Sequence, residues 1–113
     1  VVVGTNGYGD TISETFALNG TSTVTGTKAF NTVTSITVPV RVAGGETVNV
    51  GIGSKLGIPD MLYYDTASQG FVNGTREATR PVITPDGDEL EKNLVTFTSS
   101  LAGTEVVVTY VVM

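Results

Sequence analysis

The chain has no cysteine, no histidine and no tryptophan. Without thiols it forms no disulfide, thiolate nucleophile or thiolate metal centre, and without imidazole the commonest acid/base group and metal ligand is missing. Charge is scarce as well. Only 15% of the 113 residues are Asp, Glu, Lys or Arg, and eleven acids against six bases leave a net charge of −5. That sign opposes the counterion release that drives nucleic-acid binding and the attraction to anionic lipid, so neither nucleic acid nor a membrane is expected as a partner. No run approaches the roughly 18 consecutive apolar residues of a membrane span. Val1-Val2-Val3 gives way at once to Gly4, so no signal peptide is read, and a start at Val1 reads as a processed terminus or the beginning of an ordered region.

What is abundant points one way. Threonine (19) and valine (18) are the commonest residues, with leucine and alanine at six each. Branching at Cβ suits a pleated surface better than a helix. Fourteen glycines and the dipeptides Asn6-Gly7, Asn19-Gly20, Gly44-Gly45, Asn73-Gly74 and Asp86-Gly87 punctuate the apolar runs at the spacing of short strands. With 40% apolar residues the chain is too hydrophobic for a disordered tail. The expectation is all-β: one domain spanning 1–113, an antiparallel β-sandwich or barrel of about 8–10 short strands with no long helix.

Local patterns place the strands. Residues 11–18 alternate, with Ile12, Glu14, Phe16 and Leu18 on one side, and Asn19-Gly20 turns them into a hairpin with 21–24. Residues 28–39 form the longest predicted strand, with Phe30, Thr32, Thr34, Ile36 and Val38 on one face. Val40-Arg41-Val42 continues it, Ala43-Gly44-Gly45 turns, and 46–52 follows as a strand with Val48, Val50 and Ile52 toward the core. Residues 54–60 read as a crossing loop redirected by Pro59, and 61–64 and 69–72 as short strands, the latter entering a hairpin at Asn73-Gly74. Residues 80–84 run extended and the acidic 86–91 segment is an exposed turn. After a strand at 94–98 and a turn at 99–103, the apolar run 105–112 is expected in the middle of a sheet, buried on both faces.

Motifs that resemble chemical sites fail on their context. Thr5-Asn6-Gly7-Tyr8-Gly9-Asp10 has the look of a potassium filter without the surrounding helices, so it reads as a glycine-rich turn. Gly51-Ile52-Gly53-Ser54-Lys55-Leu56-Gly57 does not have phosphate-loop spacing, and no helix follows it. Asp86, Asp88, Glu89 and Glu91 supply oxygens but not the glycine at position six or the closing glutamate of a calcium loop. Asn19-Gly20-Thr21 and Asn73-Gly74-Thr75 match the glycosylation pattern and serve equally well as turns. Nothing singles out one carboxylate pair, and Lys28, Lys55 and Lys92 stand in no serine–lysine arrangement. No enzyme activity, catalytic residue, metal site or cofactor is read from the chain. The candidate contacts to partners are Val1, Val2 and Val3, a terminal strand, and Arg76, Glu77 and Arg80, where two of only six basic residues cluster. For both groups an internal role, as a strand of the chain's own sheet and as a surface salt bridge, is the competing reading.

Four phrases in order carry a resemblance: Ser13-Glu14-Thr15-Phe16-Ala17-Leu18-Asn19-Gly20-Thr21, then 26–36 from Gly26-Thr27-Lys28-Ala29-Phe30 to Ser35-Ile36, then Gly53-Ser54-Lys55-Leu56-Gly57-Ile58-Pro59, then Val72-Asn73-Gly74-Thr75-Arg76-Glu77-Ala78. With the closing strand at 106–112, they resemble a group of small β-rich virion proteins of tailed bacteriophages. The resemblance implies a decoration or cement protein on the outer capsid surface of the virion. Its partners would be the major capsid protein and other copies of itself, in a trimer or dimer. An immunoglobulin-like adhesive module of a phage fibre or bacterial surface protein, binding receptor or carbohydrate, is the alternative.

Overall fold

The computed structural model describes residues 1–40, 47–99, 101 and 105–112. Nine strands lie in three antiparallel sheets of three: β1 (Val2–Thr5), β2 (Thr11–Glu14), β3 (Thr32–Ile36), β4 (Lys55–Gly57), β5 (Gln69–Val72), β6 (Thr75–Arg76), β7 (Val82–Thr84), β8 (Leu94–Thr96) and β9 (Val106–Thr109). The strand orders are β2-β1-β3, β4-β8-β7 and β6-β5-β9. One 3-10 turn, Leu90–Lys92, is the only helical piece among the described residues. The all-β antiparallel class expected from the Thr/Val composition is what the chain adopts.

The second and third sheets share one apolar core. In the β4-β8-β7 sheet the register aligns Leu56 with Val95 and Ile83 with Val95, so three strands put one row of side chains on one face. In the third sheet Val72 pairs with Val106 and Gly70 with Val108, which gives the facing row. Between them lie Ile58, Leu62, Ala67, Phe97 and Leu101. Gly70 is required for this approach: a Cβ there would sit 2.7 Å from the Phe97 ring and 2.9 Å from Pro81. The β2-β1-β3 sheet contributes nothing to that cluster. It is joined to the rest by the Ala29 amide on the Glu91 carbonyl (2.7 Å) and by Asn6 Nδ2 on Glu91 Oε2 (3.2 Å).

The Asn73-Gly74 turn forms as its dipeptide dictates, with φ of 51° and 78°, the two positive values of a type I′ hairpin. At Asn19-Gly20 the turn also closes, with Ser22 donating to the Asn19 carbonyl at 3.0 Å, but it carries a single bridge rather than a ladder. The strand expected over 28–39 is shorter. Asn31 and Thr37 extend β3 by one bond each, to Thr5 and Val1, and a bulge leaves Thr34 without a counterpart in β1. An extra residue reverses the parity, so the face drawn through Phe30, Thr32, Thr34, Ile36 and Val38 does not exist as one face.

Other expectations need correction. Residues 54–60 contain β4, because the Ile58 amide and the Ser54 carbonyl continue its pairing with the 93–97 segment. Residues 61–64 are not a strand: the Leu62 amide bonds to the Asn93 side chain and Tyr63 and Tyr64 stand in solvent. The acidic 86–91 segment is partly packed rather than an exposed turn, since Leu90 is buried and Asp86 Oδ1 accepts from the Asp88 and Glu89 amides. β9 lies at the edge of its sheet and buries one face only, leaving Val107, Val111 and Val112 exposed. Val48, Val50 and Ile52 are exposed as well, not in the core. The Val40-Arg41-Val42 extension beyond Val40, the Ala43-Gly44-Gly45 turn and much of the 99–103 turn lie outside the described residues.

Candidate functional site

The acids are engaged within the fold. Asp65 Oδ1 accepts from Arg80 Nη1 (3.0 Å) and from the Ile83 and Ala67 amides (3.1 and 3.2 Å), while Oδ2 accepts from Arg80 Nη2 (3.0 Å). This clasp ties β7 to the loop before β5, and Arg80 also donates to the Ala67 carbonyl. The Arg80 hydrogen bonds hold the Asp65 carboxyl below its ordinary value against the opposing effect of burial. Glu14 accepts from the Thr27 amide and hydroxyl and the Lys28 amide, and Glu89 pairs with Lys92 at 3.0 Å. Tyr110 donates to Asp60 Oδ2 at 2.7 Å, and burial, then that carboxylate, pushes the phenol up to about 12. Asp10, Asp88 and Glu91 line a hollow of 330 Å³ beside Tyr8 and Met61. Among the described residues no group of three acids is placed to hold a metal ion.

One prediction follows from the clasp. Because the folded Asp65 titrates below its ordinary value of 3.8, its contribution is complete above that pH and is lost as the pH falls through the folded value. Urea midpoints compared at pH 7 and pH 3 are expected to fall further for the native chain than for Asp65→Asn, which begins lower. Equal falls would mean the clasp contributes nothing.

The sequence-predicted contact residues are placed on different sheets. Val2 and Val3 are half-buried in β1, the central strand of its sheet, hydrogen-bonded to β2 on one side and β3 on the other, so they present no free edge. The Val1 ammonium donates to the Thr37 carbonyl at 2.9 Å. Arg80 is spent on Asp65, and Glu77 accepts from the Thr98 and Ser99 hydroxyls. Arg76 stands exposed on β6.

What the chain does present, among the described residues, is a pair of exposed apolar segments, 38–40 and 47–52, the two limbs of an arm. The first follows Thr37, which is bonded to Val1, and the second ends at Gly53, whose carbonyl accepts from the Leu101 amide at 3.2 Å. On its outgoing limb Val38 is 53% and Val40 94% exposed, and on its returning limb Val48, Val50 and Ile52 are 47–62% exposed. Among the described residues, none hydrogen-bonds to the backbone of 38–40 or 47–52. Six of the described strands lie at sheet edges, β2, β3, β4, β6, β7 and β9. The sequence showed the arm's alternation but assigned it to the core, since a period of two states which residues share a face and not what covers that face. No protein-family profile, curated protein or solved structure matches the chain.

Proposed function

We propose that the chain is a non-enzymatic structural protein of a tailed-phage virion, a decoration or cement protein that binds the outside of the head and stabilises it. The observation that carries this reading is the pair of exposed segments 38–40 and 47–52, which hold no charged residue, carry exposed apolar side chains and have no backbone hydrogen bond to any described residue. Such a segment gains free energy only by being covered, and a shell with many equivalent joints multiplies each modest contact. The chemistry agrees, because no imidazole or thiol exists in the sequence and Glu14, Asp60, Asp65, Glu77 and Asp86 accept internal hydrogen bonds. Binding to the assembled shell and not to free coat subunits stabilises it by mass action.

Particles lacking the protein are expected to release DNA at a lower temperature and under milder osmotic shock, and to recover when it is added back. Electron microscopy of the restored particles should then show it in symmetric positions over joints between coat subunits. Unchanged robustness together with no added density would remove the cement reading. The adhesive alternative is favoured by one observation, the adjacent exposed rings of Tyr63 and Tyr64, which offer apolar faces of the kind that stack on sugars. Retention on immobilised glycans but not on bare shells would select it.

A further inference from the structure

The isolated chain exposes more surface than a folded monomer of its size. Its accessible area is 7465 Å², against about 5,900 Å² for a monomeric protein of this mass. Its radius of gyration is 15.6 Å, where about 13 Å is usual for this length. The excess, roughly 1,600 Å², is about twice what one partner gives up in a standard interface. It needs a partner surface, and the chain itself carries one.

The open edge of β9 is that surface. The Asn73 amide bonds to the Glu105 carbonyl, so the odd-numbered positions of β9 face β5 with their backbone groups. The register therefore turns the N–H and C=O of Val106, Val108 and Tyr110 outward, and no described residue pairs with them. Side chains alternate the other way: Val106, Val108 and Tyr110 pack against the core, while Val107 and Val111 are exposed. Neither β9 through Val112 nor the 47–52 limb holds a charged residue, a lysine or a proline, the features that normally protect an edge from pairing.

We propose that the returning limb of the arm, residues 47–52, lies along the open β9 edge of a second copy as an added strand, joining copies head to tail into a closed ring. Val48, Val50 and Ile52 then extend the row of Val106 and Val108 or cover Val107 and Val111, and Thr47 and Asn49 take the opposite face. Each copy gives one limb and accepts one. A standard interface engages about 20–30 residues a side, so the 47–52 limb and the β9 edge account for part of the excess and the surfaces beside them for the rest. Donor and acceptor differ, so the copies exchange limbs reciprocally in a pair, close into a larger ring or run on as a fibre; the decoration of a closed shell calls for closure, the pair being the smallest ring. The absence of charge on both surfaces leaves nothing to select an unlike, charged partner, whereas the two apolar edges fit each other.

The chain's lack of cysteine makes the test clean. Val50→Cys and Val107→Cys chains carrying tags of different size are coexpressed, mildly oxidised and run without reductant, while light scattering gives the mass of the native chain. The expected result is a disulfide of mixed size from the pair, little product from either variant alone, and a native mass that is a small multiple of 11.7 kDa. Val50→Lys is expected to reduce that mass to one chain with an unchanged circular dichroism spectrum; should it unfold, the cysteine pair still decides. A native mass of one chain overturns the ring, as does a disulfide formed only when both cysteines are in the same chain, which would mean the arm folds onto its own β9. A product from Val50→Cys alone equalling the mixed one also overturns it, in favour of arm against arm. Shell binding is read separately: monomers that coat particles sink the ring and keep the decoration reading, and rings that ignore every shell do the reverse.

Discussion

Replacing Asn93 with leucine is expected to cost about 3–5 kcal/mol of folding stability, a fall in melting temperature of more than about 12 °C. The residue is fully buried. Its Oδ1 accepts from the amides of Leu62 and Asp86, both at 2.9 Å, and its Nδ2 donates to the carbonyls of Asp86 (2.8 Å), Glu89 (3.0 Å) and Leu90 (3.3 Å). One side chain thus closes the 86–93 loop on itself and fastens it to Leu62 in the core. Leucine has the same branching and is larger, so no cavity opens and the loss comes from stranded backbone groups together with overpacking. Asn93→Asp should be no better, because it keeps the acceptor but turns a carboxylate toward three carbonyl oxygens. Urea denaturation checks both. A drop below about 1 kcal/mol would show that the loop finds other partners.

Gly4→Ala is expected to be comparably damaging in the β2-β1-β3 sheet. A Cβ on Gly4 would lie 1.9 Å from the Thr32 carbonyl oxygen and 3.0 Å from the Phe30 ring. The first contact is with backbone and has no flexible end to swing aside, so β3 must move off β1. The bulge between Val3 and Gly4 brings the two strands this close. Losing the pairing also frees Thr37, the point from which the arm departs. The variant should unfold about 3 kcal/mol more easily, the upper end for overpacked sites. Gly51→Ala is the control, since nothing lies within 4 Å of the Cβ it would add. Native-like stability in Gly4→Ala would mean the β1–β3 approach can relax.

Which of these features the sequence revealed depends on how local their causes are. The β5–β6 hairpin was legible because Asn73-Gly74 supplies positive φ at both central positions, a demand met within two residues. β7 and β8 were legible because Ile83 and Val95 sit in short apolar runs ended by turn residues. β4 was hidden: Lys55-Leu56-Gly57 has one apolar residue, and only pairing with β8, some forty positions away, makes it a strand. Asn93 gave no warning beyond its place between Leu90 and Leu94, since its five bonds reach segments the local pattern does not link. The candidate site shows the same division. Val48, Val50 and Ile52 were correctly grouped by their alternation, and the error lay in placing them inside the molecule, a matter of tertiary packing.

The arm has two roots of unequal strength. One root, at Thr37, is bonded to the β2-β1-β3 sheet, which takes no part in the central cluster; the other, at Gly53, is bonded to Leu101, which belongs to it. Tension drawn through the arm therefore reaches a yielding anchor and a firm one together, and the yielding anchor peels first. A chain pulled at both roots is therefore expected to open its outer sheet while the central cluster holds.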